Sequence, residues 1–192
     1  MNVSSWGVEG ATEAAAIPIL FHHAMKSHLQ SHGIALWACR NNEGAADFAS
    51  FLKTHDRSVV FLVDQDSRTA AKHIFSDENM KARGFCPEND ALYIGDQEFE
   101  DVFSDQEWTD VANRHWRRVD GENWQAAHIA ELRSQKKFSD ALLGLFKSGS
   151  YDGPAGKPVM SNRMALDLKE NNADVPPKLV KIFERLVEKA NY

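Results

Sequence analysis

The chain has 192 residues, 43% of them hydrophobic and 26% charged, with a formal net charge of −6; it is long and apolar enough to bury a real core, as one domain or one domain with a subdomain. No apolar stretch approaches the roughly 20 residues that a membrane-spanning helix needs, and the N-terminus lacks the charged-then-apolar pattern of a signal peptide. Cys39 and Cys86, the only cysteines, form no metal spacing, so these features argue against a disordered, membrane-bound or disulfide-stapled protein and set a reducing, cytoplasmic location as the expectation.

Strands are predicted at 3–8, 34–39, 59–63 and 91–94, separated by helical segments near 12–31, 44–54 and 67–82. That alternation argues for a parallel sheet with helices on its faces. The first strand runs into Val8-Glu9-Gly10-Ala11-Thr12-Glu13, where Gly10 permits a tight turn and a helix starts at once. Pro18 is expected to bend that helix. The third strand, Val59-Val60-Phe61-Leu62-Val63, is unbroken by polar residues, as in a strand buried on both faces, and ends in Asp64-Gln65-Asp66. From Asp105 onward strand signals vanish and helices are predicted at 105–117, 122–135, 138–147, 158–171 and 176–190, the last opened by Pro176-Pro177. A loop is predicted over 148–156. Met1-Asn2 leads within a few residues into a strand and its acidic motif, as expected of a fragment cut from a larger protein.

Ligand chemistry in open α/β sheets gathers just past the carboxyl ends of the strands, where Asp64 and Asp66 fall. Alternation lets those two acids, but not Gln65, point the same way. Facing carboxylates repel unless a cation lies between them, and hard oxygen donors suit Mg²⁺ or Mn²⁺. Glu9 leaves a strand end while Glu13 comes from the first helical turn, so both can converge on one point. A third acidic group, Glu98, Glu100 and Asp101, follows the fourth strand, and taken singly it fits helix capping better than ligation. Charge is uneven: residues 1–112 carry −10 and 113–192 carry +4, so the low overall charge leaves room for a nucleic-acid ligand.

With three acidic groups in that order, the chain resembles a Toprim domain, the metal-binding module of topoisomerases, primases and several nucleases. More closely, VEGATEAAAIPIL, VVFLVDQD, EFEDVFSDQEW and KPVMSNRMA resemble the C-terminal region of OLD-family (overcoming lysogenization defect) nucleases. In that family an N-terminal ABC-type ATPase precedes a Toprim domain with an added helical element. The resemblance spans essentially the whole chain, which has no Walker A sequence. It implies an α/β fold, a Toprim-like parallel sheet flanked by helices with a C-terminal helical element. The implied division is a Toprim catalytic core at 1–112, a helical insertion at 113–155 and C-terminal helices at 156–192.

The implied activity is a DNA endonuclease or nickase working with two divalent metal ions, Mg²⁺ or Mn²⁺, in DNA repair, replication or anti-phage defence. By position, Glu9, Asp64 and Asp66 would bind one metal and Glu13 and Glu100 the other, with Asp64 between. Glu98 neighbours them in a stretch where family members differ in the acid they use. Lys157, between Gly156 and Pro158 at a helix start, matches the family's late lysine and would stabilise charge on the phosphate. Two cations about 4 Å apart can activate a water and hold the leaving oxygen. The implied partners are DNA and the ATPase domain, with room for a homodimer. The chain departs from the family in its first strand, which is more polar than usual.

The basic residues Arg68, Arg117, Arg118, Lys136 and Lys137, with Arg114 and Arg133, either track a phosphate backbone or form solvated helix faces. Arg68 could equally pair with a nearby acid. His22, His23, His28 and His32 crowd one predicted helix, but no third ligand lies nearby, which favours a surface helix. Trp108, Trp116 and Trp124 fit a core better than a base-stacking platform. Two further readings stay open. Asp64 and Asp66 also fit the opening motif of a haloacid-dehalogenase-type phosphatase, with Ile94-Gly95-Asp96 mimicking its later acids, but the spacing is short and Glu9 and Glu13 are left without a role. A non-catalytic Toprim assembly domain is the other. Strand-passing chemistry needs a placed tyrosine, and Tyr93, Tyr151 and Tyr192 lack a recognisable setting.

Overall fold

The computed structural model describes residues 4–39, 43–70, 73–135 and 137–190. Strands β1 (Ser4–Val8), β2 (Ile34–Ala38), β3 (Val59–Asp64) and β4 (Ala91–Ile94) form one parallel sheet in the order β2-β1-β3-β4. Val8 pairs with both Ala38 and Leu62, and Asp64 with Ile94, so the carboxyl ends finish along one edge. Parallel pairing needs a crossover between strands, and here the crossovers are helical. They include α1 (Ala11–Met25), α2 (Glu43–Thr54), α3 (Asp77–Ala82) and the single turn α4 (Pro87–Asp90).

The alternation of side chains sorts the strands into two cores. Trp6, Val8, Val60, Leu62, Leu92 and Ile94 face the larger one, with Ala16, Ile17, Leu20 and Phe21 of α1. The later helices α5 (Asp105–His115), α6 (Ala126–Ala130), α7 (Phe138–Gly149), α8 (Lys157–Glu170) and α9 (Pro177–Ala190) join that side. Val59, Phe61, Val63 and Ala91 face the smaller core, covered by α2 and by Phe75, Met80 and Phe85. The polar first strand is an interior one and all five of its residues are buried. Trp6 and Val8 supply its apolar face.

Gly7 points the other way, where an added Cβ would lie 2.8 Å from Cys39 Sγ, 2.9 Å from Phe61 and 3.1 Å from Trp37. Gly7→Ala should therefore overpack this face and destabilise the protein by about 1–3 kcal/mol, read as a lowered urea midpoint. An unchanged midpoint would show that these side chains move aside freely.

Several predicted helices are shorter than their patterns suggested. The segment 12–31 breaks at Lys26, which adopts φ 53°, and resumes as a 3₁₀ turn, Leu29–His32. The crowded histidines are thus split between two elements, and the rings of His22 and His28 stack at 4.1 Å. The segment 67–82 becomes a 3₁₀ turn, Gln65–Arg68, and then α3, capped by the Ser76 hydroxyl. Of 122–135 only Ala126–Ala130 is α-helical: its N-cap Gln125 is extended at φ −117°, ψ 146°, and the preceding Trp124 is anchored to the core by its N–H on Asn113 Oδ1 at 2.7 Å and its Nε1–H on the Trp116 carbonyl at 2.6 Å. Trp108, Trp116 and Trp124 are all core residues. No helix of the described residues is long and apolar enough to cross a membrane.

Candidate active site

A cleft of about 420 Å³ opens at the carboxyl edge of the sheet, lined by Glu9, Glu13, Asp64, Glu98, Glu100 and Lys157, with Gly10, Ala11, Thr12 and Ser139. The acids arrive on four pieces of backbone, Glu98 and Glu100 sharing the turn after β4. Glu9 is the residue after β1, and its Oε2 accepts from the Asp64 N–H at 3.1 Å and the Ser67 hydroxyl at 2.8 Å. His73 Nε2 lies 3.3 Å from its other oxygen. Burial pushes the Glu9 carboxyl upward, but those donors outweigh it and hold it below the ordinary range.

Glu13 sits in the first turn of α1, where its carboxylate accepts the Gly10 N–H at 2.8 Å. Gly10 itself is extended, at φ −142°, ψ −169°. Its glycine freedom is therefore not used, contrary to the tight turn expected; an added Cβ would instead lie 3.3 Å from Glu13 Oε2. Burial raises the Glu13 carboxyl, Glu9 adds repulsion and Lys157 relieves part of it.

Asp64 ends β3, and its Oδ1 is buried with no hydrogen-bond partner among the described residues. Burial, then the charges of Glu13, Glu9, Glu100 and Asp66, raise its carboxyl well above the usual range. Beyond β4, Gly95 turns the chain at φ +76°, and a side chain there would meet the Glu98 carbonyl at 1.9 Å. That turn delivers Glu98 and Glu100, both buried. Glu100 accepts the Ser161 hydroxyl at 3.0 Å and is pushed up to about 7 by burial and by Glu13. Glu98 is occupied on both oxygens, by the Ser139 N–H at 2.9 Å and the Ser139 hydroxyl at 2.8 Å. Asp101 caps its own turn, accepting from Gln97 and Glu98 N–H groups.

Asp66 is turned differently from the alternation expected. The 3₁₀ turn begins directly after Asp64 and advances about 120° per residue, so Asp66 does not line the cleft and instead meets Lys137 Nζ at 3.0 Å. Lys157, the first residue of α8, pairs with Asp140 at 2.8 Å while lining the cleft. It comes there because α1 and α8 pack extensively together, tied further by the Asn162 side chain on the Ala15 carbonyl at 3.1 Å.

The predicted DNA contacts are dispersed. Arg68 pairs with Asp77 at 3.0 Å and lies over the Tyr93 ring. Arg117 and Arg118 line a separate cleft with Asn123 and Tyr151, and Arg118 also pairs with Asp120. Lys136 lies outside the described residues. The residues that sequence reasoning missed, Ser67, His73, Ser139 and Ser161, are hydroxyl and imidazole partners of the acids; Ser67, three residues past Asp64, and Ser161, inside KPVMSNRMA, stood in or beside a motif, whereas His73 and Ser139 did not.

Comparison with known proteins bears on this edge. Residues 8–66 match the family described as "Overcoming lysogenization defect protein-like, TOPRIM domain". This stretch resembles an OLD-like TOPRIM domain. Glu9, Glu13, Asp64 and Asp66 fall inside it, and Glu98, Glu100 and Lys157 lie beyond it. No curated protein matches the chain. Among solved structures, the chain is similar to the C-terminal region of the Xanthomonas campestris pv. campestris OLD protein, at 13% identity and TM-score 0.57 over 100% of this chain and 99% of that one. It is likewise similar to the C-terminal region of the Burkholderia pseudomallei OLD protein, at 17% identity and TM-score 0.55 over 97% and 99%. The OLD-like TOPRIM sheet and its C-terminal helices thus share one fold with OLD C-terminal regions along the whole chain.

Proposed function

We propose that this OLD-like TOPRIM region hydrolyses phosphodiester bonds in DNA with two divalent ions, Mg²⁺ or Mn²⁺. The observation that carries the reading is the unpartnered Asp64 oxygen in a cleft that Asp64 shares with Glu9, Glu13 and Glu100. Carboxylates that share one partly buried cleft resist ionising together without a cation. All the donors are hard oxygens, which fits these ions. Among the described residues no three acidic, imidazole or thiol side chains already stand as a finished ligand set, so on this reading cations draw the acids inward. Glu9, Asp64 and Asp66 would hold one ion and Glu13 and Glu100 the other, with Asp64 serving both. Glu98, with both oxygens on Ser139, is assigned to latching the start of α7.

Ions bound there would supply Lewis-acid stabilisation and a more acidic attacking water. The chain's own residues do the rest. Lys157 stabilises charge building on the phosphate. The amino ends of α1, α7 and α8, which bring Glu13, Ser139 and Lys157 to the cleft, favour a phosphate at the same place. Ser67 and His73 fix the direction of Glu9, and Ser161 that of Glu100. A haloacid-dehalogenase-type phosphatase would leave Glu9, Glu13 and Glu100 without work, so we set it second. We further propose that residues 1–112 form the catalytic core with the helical 113–155 and 156–192 added to it, working beside an N-terminal ATPase domain.

The purified protein should nick or degrade supercoiled plasmid with Mg²⁺ or Mn²⁺ and lose that activity in EDTA. Intact plasmid under both metals, with phosphate released instead from a small phosphomonoester, would replace this reading with the phosphatase.

A further inference from the structure

Asp66 is the one acid of the predicted ligand set that does not line the cleft, and a lysine pairs with it. Lys137 Nζ lies 3.0 Å from Asp66 Oδ2 and 3.7 Å from Glu98 Oε1. It stands at the head of α7, two residues before the Ser139 that latches Glu98. The ammonium, 71 residues from Asp66 in sequence, therefore spans the turn after β3 and the turn after β4. Lys157, which does line the cleft, is paired with Asp140, which does not.

We infer that Lys137 is a tethered cation that holds Asp66 in the metal-free protein and is exchanged for a divalent ion when the site fills. The inference rests on the metal-dependent reading above. The pair is made to be released: the Lys137 and Asp66 side chains are 52% and 34% exposed, and ion pairs this wet contribute little to a fold. By contrast, the Arg114–Asp167 pair has a carboxylate that is only 1% exposed, and its loss would strand a buried charge. Loading an ion onto Asp66 frees the Lys137 ammonium beside the cleft mouth, where a phosphodiester would next present its oxygens. Metal binding thereby creates a phosphate contact that the metal-free protein lacks, and DNA engages the loaded site preferentially.

Mn²⁺ titration followed by the electron paramagnetic resonance of free Mn²⁺, without nucleic acid, separates the outcomes. Lys137→Gln should bind its weaker ion about fivefold more tightly than the unmodified protein, because the resident competitor is gone. Lys137→Arg should match the unmodified protein, and the gain from Lys137→Gln should vanish in an Asp66→Asn background. Equal or weaker Mn²⁺ binding by Lys137→Gln, with unaltered thermal melting, overturns the exchange while leaving the metal reading standing. No Mn²⁺ binding by either protein overturns both.

Discussion

Asp64→Asn is expected to abolish cleavage, by on the order of 10³ or more in rate, while making the metal-free protein more stable. Both effects come from one atom. Asp64 Oδ1 is buried without a partner, and Asp64 shares its cleft with Glu13, Glu9 and Glu100. The amide keeps the shape and carries no charge at any pH, so folding no longer requires this carboxyl to take up a proton among the other acids, and near neutral pH the fold gains about 1–3 kcal/mol. The site, however, loses the acid assigned to both ions. The pH dependence has a definite sign. An unfolded Asp releases its proton near pH 4, whereas folded Asp64 keeps it to higher pH, and folded Glu100 keeps its own to about 7. Their contribution to stability is complete below the unfolded values and is lost as pH rises through the folded ones. Divalent ions compete with those protons, so the rise in melting temperature on adding Mn²⁺ should grow from pH 6 to pH 8. In Asp64→Asn the metal-free melting temperature should exceed that of the unmodified protein most clearly at pH 8, with little further rise on adding Mn²⁺. Retained cleavage in a clean Asp64→Asn preparation would remove Asp64 from the mechanism.

Lys157→Ala should slow cleavage by about 10²–10³ with little change in stability or metal binding. Lys157 enters the cleft from the first residue of α8, and its pair with Asp140 has side chains 30% and 61% exposed. Such a pair contributes under about 1 kcal/mol, so the melting temperature should hardly move. Since no acid–metal contact is assigned to it, Mn²⁺ affinity should stay within about a factor of a few. A rate within tenfold of the unmodified protein would place Lys157 outside the transition-state contacts.

The sheet was legible because its chemistry is local. Val59 to Val63 reads as a strand apolar on both faces, and it is one, with Val60 and Leu62 in one core and Val59, Phe61 and Val63 in the other. Glu9, Glu13 and Asp64 were legible as acids at strand ends and at a helix start, positions that follow from the alternation of elements. Asp66 was harder, since its direction depends on whether the backbone leaves β3 extended or in a 3₁₀ turn, and the string Gln-Asp-Ser-Arg does not decide that. Trp124 shows the same limit: 122–135 has a helical pattern, but bonds to Asn113 and Trp116 hold that tryptophan outside a helix. Ser139, Ser161 and His73 were illegible because their roles exist only after packing. Ser161 reaches Glu100 across 61 residues of sequence and Ser139 reaches Glu98 across 41, and nothing about a lone serine in a helix announces that.

The central claim is that the acids at this sheet edge hold two divalent ions. Crystals soaked in Mn²⁺ and measured at the manganese absorption edge test it most directly. The account predicts two anomalous peaks, one among Glu9, Asp64 and Asp66 and the other among Glu13, Asp64 and Glu100, with Lys137 withdrawn from Asp66. No peak among these acids at saturating Mn²⁺, or a peak bound by other residues alone, would contradict it.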